Sequence, residues 1–194
     1  MTALLRFENL SIARGERVLQ RGLSGAVGPG ELLHVSGANG SGKTTLLQVL
    51  AGLRAPVAGS VHRRGDPEHL HWVGHRNAIS TALGVEENLR FWCALQGVPA
   101  QGIAPALARF GLQRLSRPCR ELSAGQNRRA ALARLVAARR PLWLLDEPLA
   151  ALDRQGIELF FDELGTHCAG GGAAVLTSHQ PLPPGLRVRE LVLA

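Results

Sequence analysis

A glycine-rich segment that contains the only lysine of the chain carries the clearest chemical signal in the sequence. The segment reads Gly37-Ala38-Asn39-Gly40-Ser41-Gly42-Lys43-Thr44-Thr45. It matches G-x-x-x-x-G-K-[ST] and lies between a predicted strand and a predicted helix, which is the context that this pattern requires. Glycines let backbone N–H groups turn towards phosphate oxygens, and the helix directs its positive end at the same phosphates. We therefore predict a nucleoside triphosphate site in which Lys43 reaches the outer phosphates and the Thr44 hydroxyl binds Mg²⁺.

Two adjacent carboxylates, Asp146 and Glu147, follow the apolar run Leu142–Leu145. In nucleotide hydrolases with this phosphate loop, an aspartate at the end of such a strand holds Mg²⁺, so Asp146 is expected to share the metal with Thr44. A second acid directly after it can polarise the attacking water, which makes Glu147 the candidate general base. The alternative is a solvated Asp-Glu pair in a turn, which the presence of the phosphate loop disfavours.

A turn of small residues, Ser123-Ala124-Gly125, precedes a predicted helix that opens with Arg128 and Arg129. Arginines at this end oppose the helix macrodipole, which favours negative charge there. Ser123 and the N–H groups near Gly125 can donate to a γ-phosphate at a helix N-terminus, so we expect the two arginines to lie where an anion is attracted. The phosphate loop already has its own phosphate-binding helix. This second helix end can therefore most easily bind the γ-phosphate of a nucleotide that is held by another copy of the chain.

The turn and its neighbours resemble the motifs of ABC-type ATPases, and the resemblance covers essentially the whole chain. The signature-like stretch is Leu122-Ser123-Ala124-Gly125-Gln126. It lies between the phosphate loop and the acidic strand end, as in the family; Ala151-Leu152-Asp153 resembles the D-loop, and His179 resembles the switch histidine. The resemblance implies that two chains pack head to tail, with each ATP between the phosphate loop of one and the signature of the other. It also implies that Glu147 is the general base and that His179 contacts the γ-phosphate, although a histidine considered alone is more often structural.

Two positions depart from the family pattern. Arg14 lies where an aromatic residue usually stacks on adenine, and a guanidinium can also stack on a ring, so base binding is expected to survive with looser nucleotide choice. His75 lies where the Q-loop usually has glutamine, and a structural histidine at this position is the alternative to a coupling role.

These features narrow the resemblance to the ATP-binding subunits of bacterial cytochrome c biogenesis, or haem exporter, complexes. The stretches that match are Trp72-Val73-Gly74-His75, Glu87–Trp92, Leu142–Pro148 and His179-Gln180-Pro181. This resemblance implies integral-membrane partner subunits, a peripheral location at the cytoplasmic face of the bacterial inner membrane, and ATP hydrolysis linked to haem export or to release of a haem-loaded chaperone. We expect no direct haem binding, because surface or Q-loop roles account for His62, His69, His71 and His75.

The net charge of +7 is compatible with nucleic acid, an anionic membrane surface, phosphorylated ligands, an acidic partner or a solvated basic surface. Too few residues separate Lys43 from Ser123 for the coiled coil of chromosome-associated ABC ATPases, and the chain has one cassette where translation factors of this type have two. A small-molecule kinase would lack the signature-like turn. We therefore expect no nucleic acid partner; the alternatives are another small exporter or, less favoured, a non-transport ABC ATPase that acts on nucleic acid.

Cys93, Cys119 and Cys168 are scattered and are expected to be buried or partly buried.

The strands and helices predicted from the sequence, which position these residues, indicate an α/β fold: a P-loop NTPase core of ABC ATPase type with a helical subdomain insertion. Residues 1–83 and 140–194 are assigned to the core, and residues 84–139 to the helical subdomain. Predicted strands are Glu31–Val35, Pro141–Leu145 and Ala173–Thr177, and predicted helices are Thr44–Ala51 and Ile157–His167. An apolar stripe of Leu89, Phe91, Trp92 and Leu95 either forms the core of the insertion or lines a groove for a partner's helix, and both can hold.

Overall fold

The computed structural model describes residues 3–65, 69–115, 117–183 and 185–194. Its elements in chain order are β1 (Leu5–Arg14), β2 (Arg17–Val27), β3 (Glu31–Gly37), α1 (Lys43–Ala51), β4 (Ala58–Arg63), β5 (Leu70–Val73), α2 (Val85–Leu95), α3 (Ile103–Arg109), α4 (Ala124–Ala137), β6 (Leu142–Leu145), α5 (Arg154–Ala169), β7 (Ala173–Thr177) and β8 (Arg187–Leu193). Short 3₁₀ turns occur at Ala100–Gly102 and Cys119–Glu121. The α/β fold class predicted from the sequence is confirmed.

The chain divides into two compact units. The first holds the residues up to Gly74, together with Pro141–Glu147 and Gly165–Ala194. The second holds His75–Arg140 and Pro148–Leu164. The helical unit therefore starts earlier than the predicted residue 84, and it also includes a second piece of chain that begins directly after Glu147.

A five-stranded parallel sheet in the order β5-β6-β7-β3-β8 forms the centre of the first unit. Every residue of β6 and β7 is buried, as expected for interior strands of a parallel sheet, which are apolar on both faces. The carboxyl ends of these strands meet at one edge, which is where ligands bind in open α/β sheets. The phosphate loop after β3, the acidic pair after β6 and Ser178 after β7 all begin at this edge.

A smaller antiparallel sheet, in the order β2-β1-β4, completes the first unit. Leu5, Phe7 and Ile12 of β1 are buried in one apolar cluster with Leu46 and Leu50 of α1. Arg14 pairs with Arg17 across the two-residue turn between β1 and β2, so both arginines lie side by side at the tip of this hairpin.

The second unit is built from α2, α3 and α4, with most of α5. Residues Arg128–Ala137 of α4 are all buried, whereas α2 buries only Val85, Leu89 and Cys93. Phe91 and Leu95, on the other side of α2, are 67% and 69% exposed. The predicted apolar stripe is therefore divided between a buried residue, Leu89, and an exposed apolar face. None of the helices in the described parts of the chain is long and apolar enough to cross a membrane.

Candidate functional site

A cavity of about 410 Å³ lies at the carboxyl edge of the parallel sheet. The phosphate loop and the acidic pair line it, together with His179 and the hairpin residues Arg14 and Arg17. All of these residues belong to the first unit. The structure thus brings together the phosphate-loop, carboxylate and histidine residues that the sequence singled out separately.

The backbone of the phosphate loop adopts positive φ angles that glycine favours. Gly42 has a φ of 107° directly before α1, and a Cβ at this position would lie 3.2 Å from the side chain of Ile12. The first turn of α1 has no side-chain cap and no acidic residue. Its N–H groups and the positive end of the helix dipole can therefore receive an anion.

Lys43 folds back over the loop. Its Nζ donates to the carbonyl oxygens of Gly37 at 2.8 Å and Ala38 at 3.1 Å. The buried Ser41 hydroxyl has no hydrogen-bond partner among the described residues, so an oxygen of a ligand could satisfy it. Both observations fit a loop that binds phosphate, because phosphate oxygens can replace the carbonyl acceptors of Lys43 and bind the Ser41 hydroxyl.

Thr44 and Asp146 form an oxygen-rich pair that suits Mg²⁺. The Thr44 hydroxyl donates to Asp146 Oδ2 at 2.9 Å, and Asp146 is 2% exposed. Mg²⁺ prefers oxygen ligands and is usually held by one or two protein oxygens together with substrate phosphates and waters. The two predicted metal ligands are therefore adjacent and have the right chemistry for a metal that is shared with a bound triphosphate.

Glu147 adopts a backbone conformation that non-glycine residues rarely use, with a φ of 48°. Its carboxylate Oε1 lies 3.4 Å from Nε2 of His179. The Glu147 side chain is 22% exposed and that of His179 is 59% exposed. A strained backbone at a candidate base is typical of catalytic sites, where the surrounding structure holds a side chain in one direction.

Thr177 belongs to the candidate site, although the sequence analysis did not single it out. Its hydroxyl donates to Asp146 Oδ1 at 3.0 Å and accepts the backbone N–H of Glu147 at 2.8 Å. The side chain is fully buried at the last position of β7, next to β6 in the sheet. The available signal was a hydroxyl residue that ends an apolar strand, at the edge where the acidic pair also begins.

The signature-like turn is the N-cap of α4 in the second unit. Ser123 Oγ accepts the Gln126 N–H at 3.1 Å, and the Gln126 side chain accepts the Ser123 N–H at 3.0 Å, which is a capping box. Ser123 and Ala124 are exposed, while Leu122 is buried.

The D-loop segment lies against the signature-like turn within the same unit. A Cβ on Gly125 would lie 2.9 Å from the carbonyl oxygen of Ala151, so only glycine fits this approach without a shift of the backbone. The predicted D-loop residue Asp153 accepts the Gly156 N–H at 2.8 Å, at the start of α5.

The expectation that Arg128 and Arg129 lie where an anion is attracted is wrong. Arg128 is 2% exposed, and its guanidinium donates to Pro148 O and to Asn77 Oδ1, both at 3.1 Å. Arg129 is 9% exposed and donates to Phe110 O at 3.3 Å. The two guanidinium groups bind acceptors of the protein itself and attach α4 to neighbouring segments of its own unit.

The other histidines that the sequence analysis named and the three cysteines do not line this cavity. His75 is exposed directly after β5 and is not among the residues that line the cavity, whereas Arg14 is. His71 is buried on β5, and no group of histidine, cysteine or acidic residues within the described ranges could form a metal site on its own. The three cysteines are buried as predicted, and burial raises the pKa of each thiol.

Comparisons with known proteins agree with this geometry. Residues 20–150 match the ABC transporter family. The cytochrome c biogenesis ATP-binding export protein CcmA of Cupriavidus necator is 47% identical, and the match covers 93% of this chain and 85% of that protein. The protein of the same name from Pseudomonas putida is 45% identical over 98% of both chains.

Solved structures support the fold. A putative ABC transporter ATP-binding protein from Pyrococcus furiosus aligns with a TM-score of 0.86 at 22% identity, over 97% of this chain and 96% of that one. From the family match and from relatives that cover nearly its full length, we conclude that this chain belongs to the ABC transporter family, among the cytochrome c biogenesis ATP-binding export proteins.

Proposed function

We propose that this chain is the ATP-hydrolysing subunit of an export complex that serves cytochrome c biogenesis. ATP hydrolysis in this complex exports haem or releases a haem-loaded chaperone. The observation that carries the proposal is the single cavity that unites Lys43 and Thr44 with Asp146, Glu147 and His179. The names of the full-length relatives support the biological assignment.

In the proposed site, the phosphate loop binds the triphosphate. The N–H groups of the loop and of the first turn of α1 donate to phosphate oxygens, and Lys43 exchanges the carbonyls of Gly37 and Ala38 for the outer phosphates. Thr44 and Asp146 hold Mg²⁺, which neutralises negative charge on the phosphates. Arg14 stacks on or borders the base, because it lines the same cavity at its hairpin end.

Glu147 is the proposed general base. Its carboxylate is partly buried and directed by a backbone that the Thr177 hydroxyl holds in place. A carboxylate at this position can take a proton from the water that attacks the γ-phosphate. His179 Nε2 lies 3.4 Å from this carboxylate, so the ring N–H can donate either to the carboxylate or, once ATP is bound, to the γ-phosphate.

A second copy of the chain completes each site in this proposal. The Ser123 oxygen accepts a bond in the capping box, which leaves its own O–H as a donor for a γ-phosphate bound by the other copy. The exposed turn Ser123-Ala124 and the N-terminus of α4 then form the opposite wall. The D-loop residue Asp153 lies near the same turn within its own unit, since a Cβ on Gly125 would be 3.9 Å from Asp153 N.

Integral-membrane subunits are the proposed partners, with this chain peripheral at the cytoplasmic face of the inner membrane. The exposed apolar face of α2 supports this, since Phe91 and Leu95 offer apolar area that a partner can cover. His75 begins the second unit and is proposed to link partner binding to the ATPase.

The test replaces Glu147 with glutamine in the complex with its membrane subunits. ATP affinity should be retained while the hydrolysis rate falls by about 10²-fold or more, because glutamine cannot accept the proton. Glu158→Gln is the matched control, since Glu158 is an exposed glutamate on α5 that pairs with Arg154 on the surface. Near-normal turnover in Glu147→Gln would remove Glu147 from the role of base.

A further inference from the structure

His34 lies on β3, the strand that leads into the phosphate loop at Gly37, and its side chain is partly buried. Its ring nitrogen Nε2 lies 3.2 Å from the carbonyl oxygen of Ser178, the first residue after β7. A carbonyl oxygen only accepts hydrogen bonds, so Nε2 of His34 carries the hydrogen and donates it. The contact therefore joins the strand of the phosphate loop to the segment that carries His179.

The order of the strands brings the two groups of this bond together. β3 and β7 are parallel neighbours, and their paired positions end at Thr177, so Ser178 lies just beyond the regular pairing. On the other side of β3, His34 is opposite Glu190 of β8, but that carboxylate accepts the hydroxyl hydrogen of Ser36 at 2.8 Å. The imidazole of His34 thus extends the connection between β3 and β7 past the end of β7.

His179 depends on such a connection because packing does not fix its side chain. The side chain is 59% exposed, although its Nε2 lies 3.4 Å from Glu147 Oε1. Within the turn, the Ser178 hydroxyl accepts the Gln180 N–H at 2.9 Å and donates to the Gln180 carbonyl at 3.1 Å. These bonds close the turn of residues 178–180, but they do not attach it to a neighbouring strand. The bond from His34 does, because it starts on β3.

We propose that His34 is a positioning residue for ATP hydrolysis: its imidazole holds the carbonyl of Ser178 and so fixes the turn that directs His179 towards the γ-phosphate. This inference rests on the proposed function, in which His179 donates to that phosphate. A displacement of about 1 Å in a group that contacts the reacting atoms can lower a rate by about 10²-fold. His34 is not among the residues that line the cavity, so it acts on the rate through His179.

The phosphate loop and the turn of His179 are both held from the same strand. β3 ends at Gly37, where the loop that carries Lys43 begins, and the His34 ring on this strand holds Ser178. Lys43 and His179 are the two cationic or N–H donor groups assigned to the outer phosphates. Their separation is therefore set by β3 before the nucleotide arrives, which reduces the reorganisation that the reaction requires.

The first test compares His34→Leu with His34→Gln in the complex with the membrane subunits. The glutamine amide nitrogen is as many bonds from Cβ as Nε2 of histidine, so it can donate to Ser178 O, whereas leucine cannot. Single-turnover ATP hydrolysis should fall about tenfold in His34→Leu and stay within about threefold of the native rate in His34→Gln. ATP affinity should change less than about twofold in both, because the lost bond acts on the reacting phosphate and not on binding.

The control is His62→Leu, which removes an exposed histidine from β4 of the same unit and should leave rate and affinity unchanged. A native rate in His34→Leu, an equal loss of rate in His34→Gln, or a loss of ATP affinity as large as the loss of rate would each overturn the proposal. Thermal transitions establish the temperatures at which all variants are folded. If His34→Leu does not fold, His34→Asn replaces it, because the asparagine amide is one bond shorter and does not reach Ser178; equal rates in the two amide variants would then refute the role of His34.

The second test asks whether His34 acts through His179. His179→Ala alone should lower the rate, and His34→Leu should lower it less than about twofold further in that background, because the group it positions is already absent. A further tenfold loss would show that the two residues act independently and would overturn the proposal.

The same variants separate this proposal from the proposed function. If His179→Ala hydrolyses ATP at the native rate, the role of His179 in the proposed function fails, and the positioning role of His34 fails with it. If His179→Ala is slow while His34→Leu is as fast as the native chain, the proposed function stands and only the role of His34 is overturned.

Discussion

Replacement of Thr177 by valine removes one buried hydroxyl and preserves the shape of the side chain. In the native chain, this hydroxyl donates to Asp146 Oδ1 at 3.0 Å and accepts the Glu147 N–H at 2.8 Å. Thr177 is fully buried, so water cannot take over either bond without a rearrangement. The substitution therefore isolates the link between the proposed metal ligand and the proposed base.

The size of the effect follows from these two bonds. A hydrogen bond to a charged group contributes about 1.5–3 kcal/mol, and a buried donor that loses its acceptor costs about 1–3 kcal/mol, so Thr177→Val should lower the free energy of unfolding by about 2.5–6 kcal/mol. Thr177→Ser retains the hydroxyl and loses one methyl group, which should cost about 1 kcal/mol. The Glu147 backbone, at a φ of 48°, loses the bond that holds its N–H.

The rate of ATP hydrolysis should fall for a reason that is separate from the loss of stability. A displacement of the Glu147 carboxylate by about 1 Å is enough to reduce turnover by about 10²-fold, whereas Thr177→Ser should stay within about threefold of the native rate. Denaturant titration gives the free energy of unfolding, and single-turnover ATP hydrolysis in the complex, at temperatures where all variants are folded, gives the rate. If folded Thr177→Val hydrolyses ATP as fast as Thr177→Ser, the hydroxyl does not position the base.

Four further predictions address the two units. Lys43→Ala and Ser123→Arg chains, each inactive alone, should regain activity when mixed, because one composite site is then intact; activity in a chain held monomeric would contradict shared sites. Lys43 is the only lysine, so an amine-reactive reagent read by peptide mass should label it about tenfold less with Mg²⁺ and ATP present, since phosphates then bind its amine; equal labelling would exclude Lys43 from the site. Arg63→Met should cost about 1–2 kcal/mol by denaturant titration, because Arg63 donates to Leu50 O and Val49 O at the end of α1, whereas exposed Arg64→Met should cost almost nothing. Arg14→Ala should weaken ATP binding about fivefold by calorimetry and Arg14→Tyr less than about twofold, because a guanidinium and a phenol ring can both stack on a base; an unaffected Arg14→Ala would remove this residue from base binding.

The parts of the site that the sequence predicts are those in which the physics is local. A phosphate loop needs glycine at particular backbone angles, one lysine and a helix start, and all of these lie within residues 37–45. Parallel strands are apolar on both faces, so β6 and β7 were recognisable, and their carboxyl ends had to share one edge. The edge strand β8 was missed because Arg187, Arg189 and Glu190 interrupt its apolar pattern and most of it is exposed.

The failures concern residues whose partners are distant in sequence. Arg128 at the start of α4 donates to Pro148 and Asn77, which lie 20 and 51 residues away in sequence, so the dipole of an isolated helix end does not determine its position. A helix-end charge effect is worth about 0.3–1 kcal/mol, and a bond from a guanidinium to a buried acceptor is worth more, so the tertiary partners decide where these arginines lie. Thr177 was not predicted for the same reason, because its hydrogen bonds to Asp146 and Glu147 depend on the order of the strands in the sheet.

Glu147 also lies at a boundary between the two units of the chain. The chain leaves the first unit at two places, after Gly74 at the end of β5 and after Glu147 at the end of β6. These strands are neighbours in the sheet, and the Asp146 N–H donates to Val73 O at 2.8 Å, which ties the two exits together. Glu147 is therefore both the proposed base and the last residue before the backbone enters the second unit. Its φ lies in the left-handed region, so any relaxation of that angle changes the direction of the carboxylate and of the chain that follows it at the same time.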